Sequence, residues 1–472
     1  MNIFSYFQKK GIDTLDSSFY RKIEEWESWY RGNVRNFSFY RIYSGQGSYS
    51  KKKRKSLGMA KKVCEDIADL LLNERVRITA SDETTDAFVQ QVLNANRFFV
   101  MGNEYQERKA CSGTIAYVPY LYEAEADADG NILSGKIGID YVSASNIFPV
   151  SWANGKVTEV IFAFPRTIQR KKYVHIQYHK KENGQYIIEN TVLENNQTSK
   201  EGKELEPEEW RKLAPFQNLA QRIETGSEEP QFAIDKLNIV NNADTDETNP
   251  MGISIFANSI DVLKTLDLTF DSYSNEFELG RKRIFVSPEM VKFKDGSPAF
   301  DPEDTVFYKM PEDYDASKEG MIHEVDLTLR TEDHERAIND GLNYLSLKCG
   351  FGTNRYKFEN GQVKTATEVI SENSDMYRTL KKHEIILDDA LKELVRIIIR
   401  LGIATGQKLN AEAEIKAEFD DSIIEDKQAE RMTDRQDVSM GAMQMWEYRV
   451  KWYGETEQQA KAAVNNLVEV IE

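Results

Sequence analysis

Residues 365–403 read TATEVISENSDMYRTLKKHEIILDDALKELVRIIIRLGI. Val369, Met376, Leu380, Leu387, Leu391, Leu394 and Ile398 recur at the three- and four-residue intervals of one helix face. Thr365 with Glu368 forms a capping box, the hydroxyl taking an N-terminal amide and the carboxylate returning to the cap amide. At 1.5 Å per residue the helix extends roughly 55 Å, to about Leu401.

Two more long helices precede it. Phe256, Ile260, Leu263, Leu266, Phe270, Tyr273 and Phe277 place a stripe along residues 253–283, a helix of roughly 45 Å. It ends in Arg281-Lys282-Arg283, and cations favour a helix C-terminus. From Glu332 to Lys348, Ala337, Ile338, Leu342 and Leu345 share a face, with Gly350 as the glycine that ends the helix. Between these two, residues 284–328 carry Pro288, Asp295-Gly296, Pro302 and Pro311 among short strands, a compact β-rich insert. The segment Gly350–Lys364, GFGTNRYKFENGQVK, leads into the longest helix. Three such helices around a small insert suggest an elongated subunit that packs against copies of itself.

Outward from this centre the chain is α+β and helix-rich. Residues 1–110 read as mostly helical, with Ile23, Trp26, Trp29 and Tyr30 on one stripe and Leu57, Ala60, Val63, Cys64, Ile67, Ala68 and Leu71 on another. Ordinary core packing explains both. Residues 111–200 turn to strands, with a turn at Asp127–Gly130 and a hairpin across Glu182-Asn183-Gly184. Residues 195–230 are polar and acidic, a loop or a mobile insertion. A strand at Ala413–Phe419 and two polar helices, about 425–447 and 456–471, follow the long helix.

Composition limits the function. The 472 residues balance 61 Lys+Arg against 78 Asp+Glu, a net charge of −17. A protein that grips DNA phosphates carries a basic face; here the one dense basic cluster is Lys51–Lys55. It is either a solvated helix start or loop, or an anion-facing patch. The three cysteines, Cys64, Cys111 and Cys349, are too few and too scattered for a disulfide scaffold or a zinc module. The N-terminus shows no basic-then-apolar leader. The most apolar late stretch, Ile385–Ile403, holds Asp388, Asp389, Lys392, Glu393, Arg396 and Arg400, so it is no membrane span.

Catalytic motifs fail one after another. Gly130–Ile137 comes close to a phosphate-binding loop but ends in Ile137, which has no hydroxyl for magnesium. Glu125–Gly130 imitates a calcium loop, yet Lys136 stands where a bidentate glutamate is needed. His175 and His179 lie on an alternating segment, where residues four apart are about 13 Å distant. His323, His334 and His383 are scattered. The sequence therefore supplies no catalytic residue, no metal site and no cofactor.

Four motifs in order carry a resemblance. Trp26-x-x-Trp29-Tyr30-x-Gly32 precedes Leu57–Cys64 and Ile67–Leu71; Asn249-Pro250-Met251-Gly252-Ile253-Ser254 leads to Leu266-Asp267 and Phe270-Asp271-Ser272; Lys364–Val369 stands with Ser371-Glu372; Phe419–Ile424 stands with Asp426. The chain resembles the portal proteins of tailed double-stranded-DNA phages, of the type found in phages of Gram-positive hosts. The resemblance implies a homo-oligomeric ring, usually of twelve subunits, at one capsid vertex, assembled in the host cytoplasm. Double-stranded DNA passes through its channel, driven by a separate terminase. The terminase large subunit, head-completion or adaptor proteins, and the major capsid and scaffolding proteins are the implied partners, with no membrane.

By segment, residues 1–252 would form the wing (helical 1–110, β-rich 111–200, acidic loop 195–230), and 253–283 and 329–349 the stem helices. Residues 284–328 would be the clip, 350–364 the channel loop, 365–423 the long wing helix and a returning strand, and 424–472 a short crown. Asn354, Arg355, Tyr356, Lys357 and Lys364 would face DNA, and Arg281, Lys282 and Arg283 would give the stem–clip junction its basic character. The absence of a nucleotide-hydrolysis motif fits a motor supplied by another protein. An acidic conduit lets DNA slide, since a lining rich in lysine and arginine would hold each phosphate. The alternatives are another virion connector or minor head protein, or a nucleic-acid enzyme with an unrecognised site.

Overall fold

A computed structural model describes every residue except 1, 45–47, 74–75, 127–131, 196–200, 280–282, 287–306, 310–321, 326–327, 357–365, 420–426 and 470–472. Helices α1 (Ile3–Lys10) and α2 (Ser17–Tyr30) start where the Asn2 and Asp16 side chains accept the amides of Phe4 and Ser18. They bury Phe7, Phe19, Ile23 and Trp26. Strands β1 (Phe39–Ser44) and β2 (Ser48–Lys53) then pair antiparallel, with Phe39 opposite Lys53 and Arg41 opposite Lys51. These two strands are exceptions to the mostly helical reading of residues 1–110. The basic run begins as a strand, neither a helix start nor a loop.

Next come α3 (Met59–Leu71), β3 (Arg77–Ala80), α4 (Glu83–Ala95) and α5 (Phe98–Ser112). The β-rich part contains β4 (Thr114–Ala126), β5 (Ile132–Ser143), β6 (Ile147–Ala153), β7 (Lys156–Ile168), β8 (Lys171–Glu182) and β9 (Gln185–Glu194). The turn between β8 and β9 holds Asn183 and Gly184 at φ 52° and 86°, the two left-handed positions that a tight hairpin requires.

The acidic segment 195–230 is more ordered than its composition suggested. It contains β10 (Lys203–Leu205), α6 (Pro207–Trp210) and β11 (Arg222–Glu224), and β10 and β11 both pair with β9. Leu205, Trp210 and Phe216 close over Tyr173 and Val192 as a small separate core. Three well-spaced apolar residues carry no periodicity, so no sequence pattern announced them. Strand β12 (Ala233–Lys236) pairs with β4, which pairs with β5.

Helix α7 (Ile260–Leu279) is shorter than the stripe implied. It begins at Ile260 instead of residue 253 because Met251–Phe256 run buried and non-helical across α5. The Ile255 amide donates to the Ala110 carbonyl at 2.9 Å, and the Gly252 amide donates to Thr114 Oγ1 at 2.8 Å. Gly252 and Gly113 touch backbone to backbone, so a side chain at either would collide with the other. The helix thus spans roughly 30 Å.

Strands β13 (Arg283–Val286), β14 (Phe307–Lys309) and β15 (Ile322–Val325) form a three-stranded sheet with β13 in the middle. Helices α8 (Thr331–Lys348) and α9 (Ala366–Ala404) start and stop within a few residues of expectation. Strand β16 (Ile415–Glu418) returns antiparallel to β3. The expected two terminal helices are three: α10 (Lys427–Met440), α11 (Met445–Tyr453) and α12 (Glu457–Glu469). Gly441 and Gly454, at φ 75° and 65°, make the breaks. The main core lies where α5, β4, β12 and the apolar face of α9 (Leu387, Leu391, Leu394, Ile398) meet.

Candidate functional site

The loop singled out in the sequence leaves α8 through a Schellman turn. The Phe351 amide donates to the Ser346 carbonyl at 3.0 Å, and the Gly350 amide to the Leu347 carbonyl at 3.2 Å. Gly350 has φ +83°, and a Cβ there would lie 2.7 Å from the Thr379 side chain on α9. Gly352 and Asn354 are left-handed as well, at φ 76° and 69°. The Asn354 amide donates to Asn343 Oδ1 at 3.0 Å, tying the loop back to α8.

Its side chains divide into two sets. Asn354 and Arg355 are exposed. Tyr356 turns inward and packs edge-on against buried Phe351, with ring centroids 5.9 Å apart. Its hydroxyl lies beside the Asp66 carboxylate of α3 without a hydrogen bond of ordinary geometry, and burial then Asp66 push the phenol far above its usual range. Tyr356 therefore anchors the loop in this subunit. Lys357 and Lys364, like Arg281 and Lys282, lie outside the described residues, and of Arg283 the structure gives only its place at the start of β13.

Helices α7 and α8 form an antiparallel pair at whose end this loop sits. Leu263 and Leu266 meet Ile338, Leu342 and Leu345. Gly341 allows the close approach, since a Cβ there would lie 2.7 Å from Leu266 Cδ2. At one end Lys348 Nζ donates to the Asn258 carbonyl at 2.8 Å. At the other, Glu276 binds Arg330 at 2.6 Å and His334 Nε2 at 2.8 Å.

The basic cluster is also placed by α7. Lys55 and Lys52 reach Glu278 at 2.6 and 3.1 Å, and Arg54 lies 3.5 Å from Asp271. The amides of Lys55 and Leu57 donate to Asp271 and Asp267, each at 3.0 Å. Hydrogen bonds from Lys55 and then Lys52 hold the Glu278 carboxyl down at about 2. Three of the five basic residues thus neutralise one face of α7. Lys51 and Lys53 point away from it and are exposed, with Lys51 over the Phe39 ring at 4.1 Å.

The rest of the chain offers structure where chemistry was sought. On β8, half-buried His175 binds Asn190 Oδ1 at 2.8 Å and buried His179 binds Gln177 Oε1 at 3.1 Å. Burial lowers them to about 4 and about 3. Residues 132–137 of the phosphate-loop and calcium-loop look-alikes are part of strand β5, and their residues 127–131 lie outside the described residues. Among the described residues no group of three or more His, Cys, Asp or Glu is arranged to hold a metal. The three cysteines are free and buried.

Sequence reasoning missed one polar cluster altogether. Lys109 Nζ lies 2.9 and 3.0 Å from the two Asp235 oxygens, with both side chains fully buried. Gln106 Nε2 donates to Asp235 Oδ2 at 2.7 Å and to Tyr117 Oη at 2.9 Å. Nothing local marks a lysine and an aspartate 126 residues apart as partners. They fasten α5 to β12.

Among the described residues no helix is long and apolar enough to cross a membrane. The family described as "Phage portal protein, SPP1 Gp6-like" matches residues 10–449. No curated protein matches the chain.

Proposed function

The chain belongs to the phage portal protein family, and from that premise we propose that copies of it close into a ring at one capsid vertex, through which double-stranded DNA enters and leaves the head. The family is structural, not enzymatic. The match over residues 10–449 carries the reading. In this proposal α7 and α8 are the stem, β13–β15 belong to the clip, α9 is the long wing helix and α10–α12 form the crown. The clip side docks the terminase large subunit and later the head-completion or adaptor protein.

Two observations support a ring. The α7–α8 pair exposes Leu268, Phe277, Tyr344 and Leu347 in the single subunit, apolar surface of the kind that neighbouring copies cover. The net charge of −17 also suits a conduit more than a clamp. Asn354 and Arg355, exposed on a loop that α8 and Tyr356 hold rigid, are the proposed DNA-facing groups, with Lys357 and Lys364 in the segment that follows. They would touch phosphates without reading sequence.

Electron microscopy of the purified protein viewed down its axis, with native mass, tests the ring. Twelve copies of the 54.4 kDa chain would weigh about 650 kDa, in a closed cyclic assembly. A compact dimer without a central opening would remove the reading. Within a ring, Arg355→Glu with Lys357→Glu should impair DNA packaging while leaving assembly intact. Unchanged length and yield of packaged DNA would remove the loop's role.

A further inference from the structure

We propose that the outer face of the β1–β2 hairpin is an intersubunit strap that docks on the acidic start of α8 in a second copy of this chain. The inference rests on the ring reading and adds which surfaces meet.

Residues 28–64 hold ten Lys+Arg and no Asp or Glu. The strand pairing sorts the hairpin's share of them onto two faces. Tyr40 and Lys52 are opposite one another and face α7, where Lys52 Nζ donates to Asn275 Oδ1 at 2.6 Å. Phe39, Arg41, Lys51 and Lys53 occupy the other face, and all four are exposed. A two-stranded hairpin is only marginally stable alone. This one is held on its inner face and presents three cations and an aromatic ring outward.

The surface of matching charge is on α8. Its first ten residues include Glu332, Asp333, Glu335 and Asp340 against one cation, Arg336. Glu332, Asp333 and Glu335 are exposed. They stand at the same height as the hairpin: Glu276 binds Arg330 and His334, while its neighbours Asn275 and Glu278 bind Lys52. Yet the two lie on different sides of α7. Asp267, Asp271, Asn275 and Glu278 meet the hairpin segment, whereas Leu263, Leu266 and Tyr273 meet α8. At 100° per residue these faces are about 120° apart. A hairpin therefore cannot fold onto its own α8. Rotation about a ring axis keeps every residue at one height, so it delivers the hairpin of one copy to the α8 of the next, a head-to-tail contact that closes.

Nucleic acid is the less fitting occupant. A phosphate-binding face needs a continuous basic stripe. Here Lys52, Arg54 and Lys55 are already committed to Glu278 and Asp271, which leaves the basic run without a continuous free face.

Charge reversal tests the strap on the full chain. Lys51→Glu with Lys53→Glu, and separately Asp333→Lys with Glu335→Lys, should each lower the fraction of protein in rings by about tenfold at physiological salt, because like charges then oppose at every interface. A chain carrying all four changes should regain rings, since the pair is restored with its polarity exchanged. Far-UV circular dichroism shows whether each variant is folded, and the four-change chain serves as the control for any that is not. Rings of undiminished yield in both reversed variants would overturn the strap and leave the ring reading standing. So would failure of the four-change chain to recover, or loss of duplex-DNA binding by the hairpin variant with its rings unaffected. An unaltered protein that never forms rings would overturn the ring reading, and the strap with it.

Discussion

Of the ion pairs that join distant parts of this chain, two are opposites. Lys109 and Asp235 meet with both side chains at 0% exposure, whereas Lys55 and Glu278 meet with 43% and 44% exposed. The distances are similar, 2.9 and 2.6 Å. What differs is water. Around Lys109 and Asp235 no solvent screens the charges, so each depends on the other and on Gln106 for its stabilisation. Around Lys55 and Glu278 water competes for both partners, and the pair fixes where the hairpin lies more than whether the chain folds. The buried pair belongs to the structural core and the exposed one to the surface where the hairpin segment meets α7.

The largest effect that would break this contrast is at Asp235. Asp235→Ala strands a buried ammonium and should cost about 3–5 kcal/mol, read as a lower urea midpoint. Replacing both partners, Lys109→Met with Asp235→Leu, should recover most of the loss, because no charge is then left unpaired. Equal damage from the single and the paired replacement would mean that the pair is not what Asp235 contributes.

Acid sharpens the contrast by separating the two regions on the pH scale. Half-buried His175 and fully buried His179 sit at about 4 and about 3, below their ordinary 6.5. The unfolded chain therefore takes up protons first. Their contribution is complete above about pH 6.5 and is lost as pH falls through 4 toward 3. His179→Phe should flatten the fall in urea midpoint between pH 7 and 5, and an unchanged slope would count against a neutral buried imidazole. Glu278, held at about 2 against an ordinary 4.5, gives stability that is present above 4.5 and lost as pH falls to 2. The sheet around β8 should weaken first and the hairpin's attachment only in stronger acid.

The smallest effect is expected from Glu278→Gln. Hydrogen exchange of the β1–β2 amides should quicken while the global unfolding midpoint stays put. A large shift in that midpoint would make the surface pair a core element and erase the distinction.

The long helices were legible because their stripes are made of large apolar residues at unbroken spacing. Leu380, Leu387, Leu391 and Leu394 on α9 are all buried. The Asn183-Gly184 turn was legible because left-handed positions select those residue types. The β1–β2 hairpin was not, since the second strand carries lysine on both faces and only the α7 groups Asn275 and Glu278 explain the inner one, Lys52. The true start of α7 was hidden for a related reason. Ile253 and Phe256 fit the helical stripe as spaced letters, but the contact between Gly252 and Gly113 claims that stretch for the core. Of the candidate loop, sequence gave its position and its residue types, while the inward turn of Tyr356 depended on Phe351 and Asp66, one near and one far.

By itself the sequence determined the periodic elements, the acidic balance, the lack of a recognisable catalytic motif and the family resemblance. All of these reside in spacing or composition. Tertiary structure alone decided which charges are paired, which aromatic of the loop is an anchor, and which lysines of the basic run remain exposed. Those outcomes turn on contacts between residues more than a hundred positions apart, and the distance along a chain does not encode the distance across its fold.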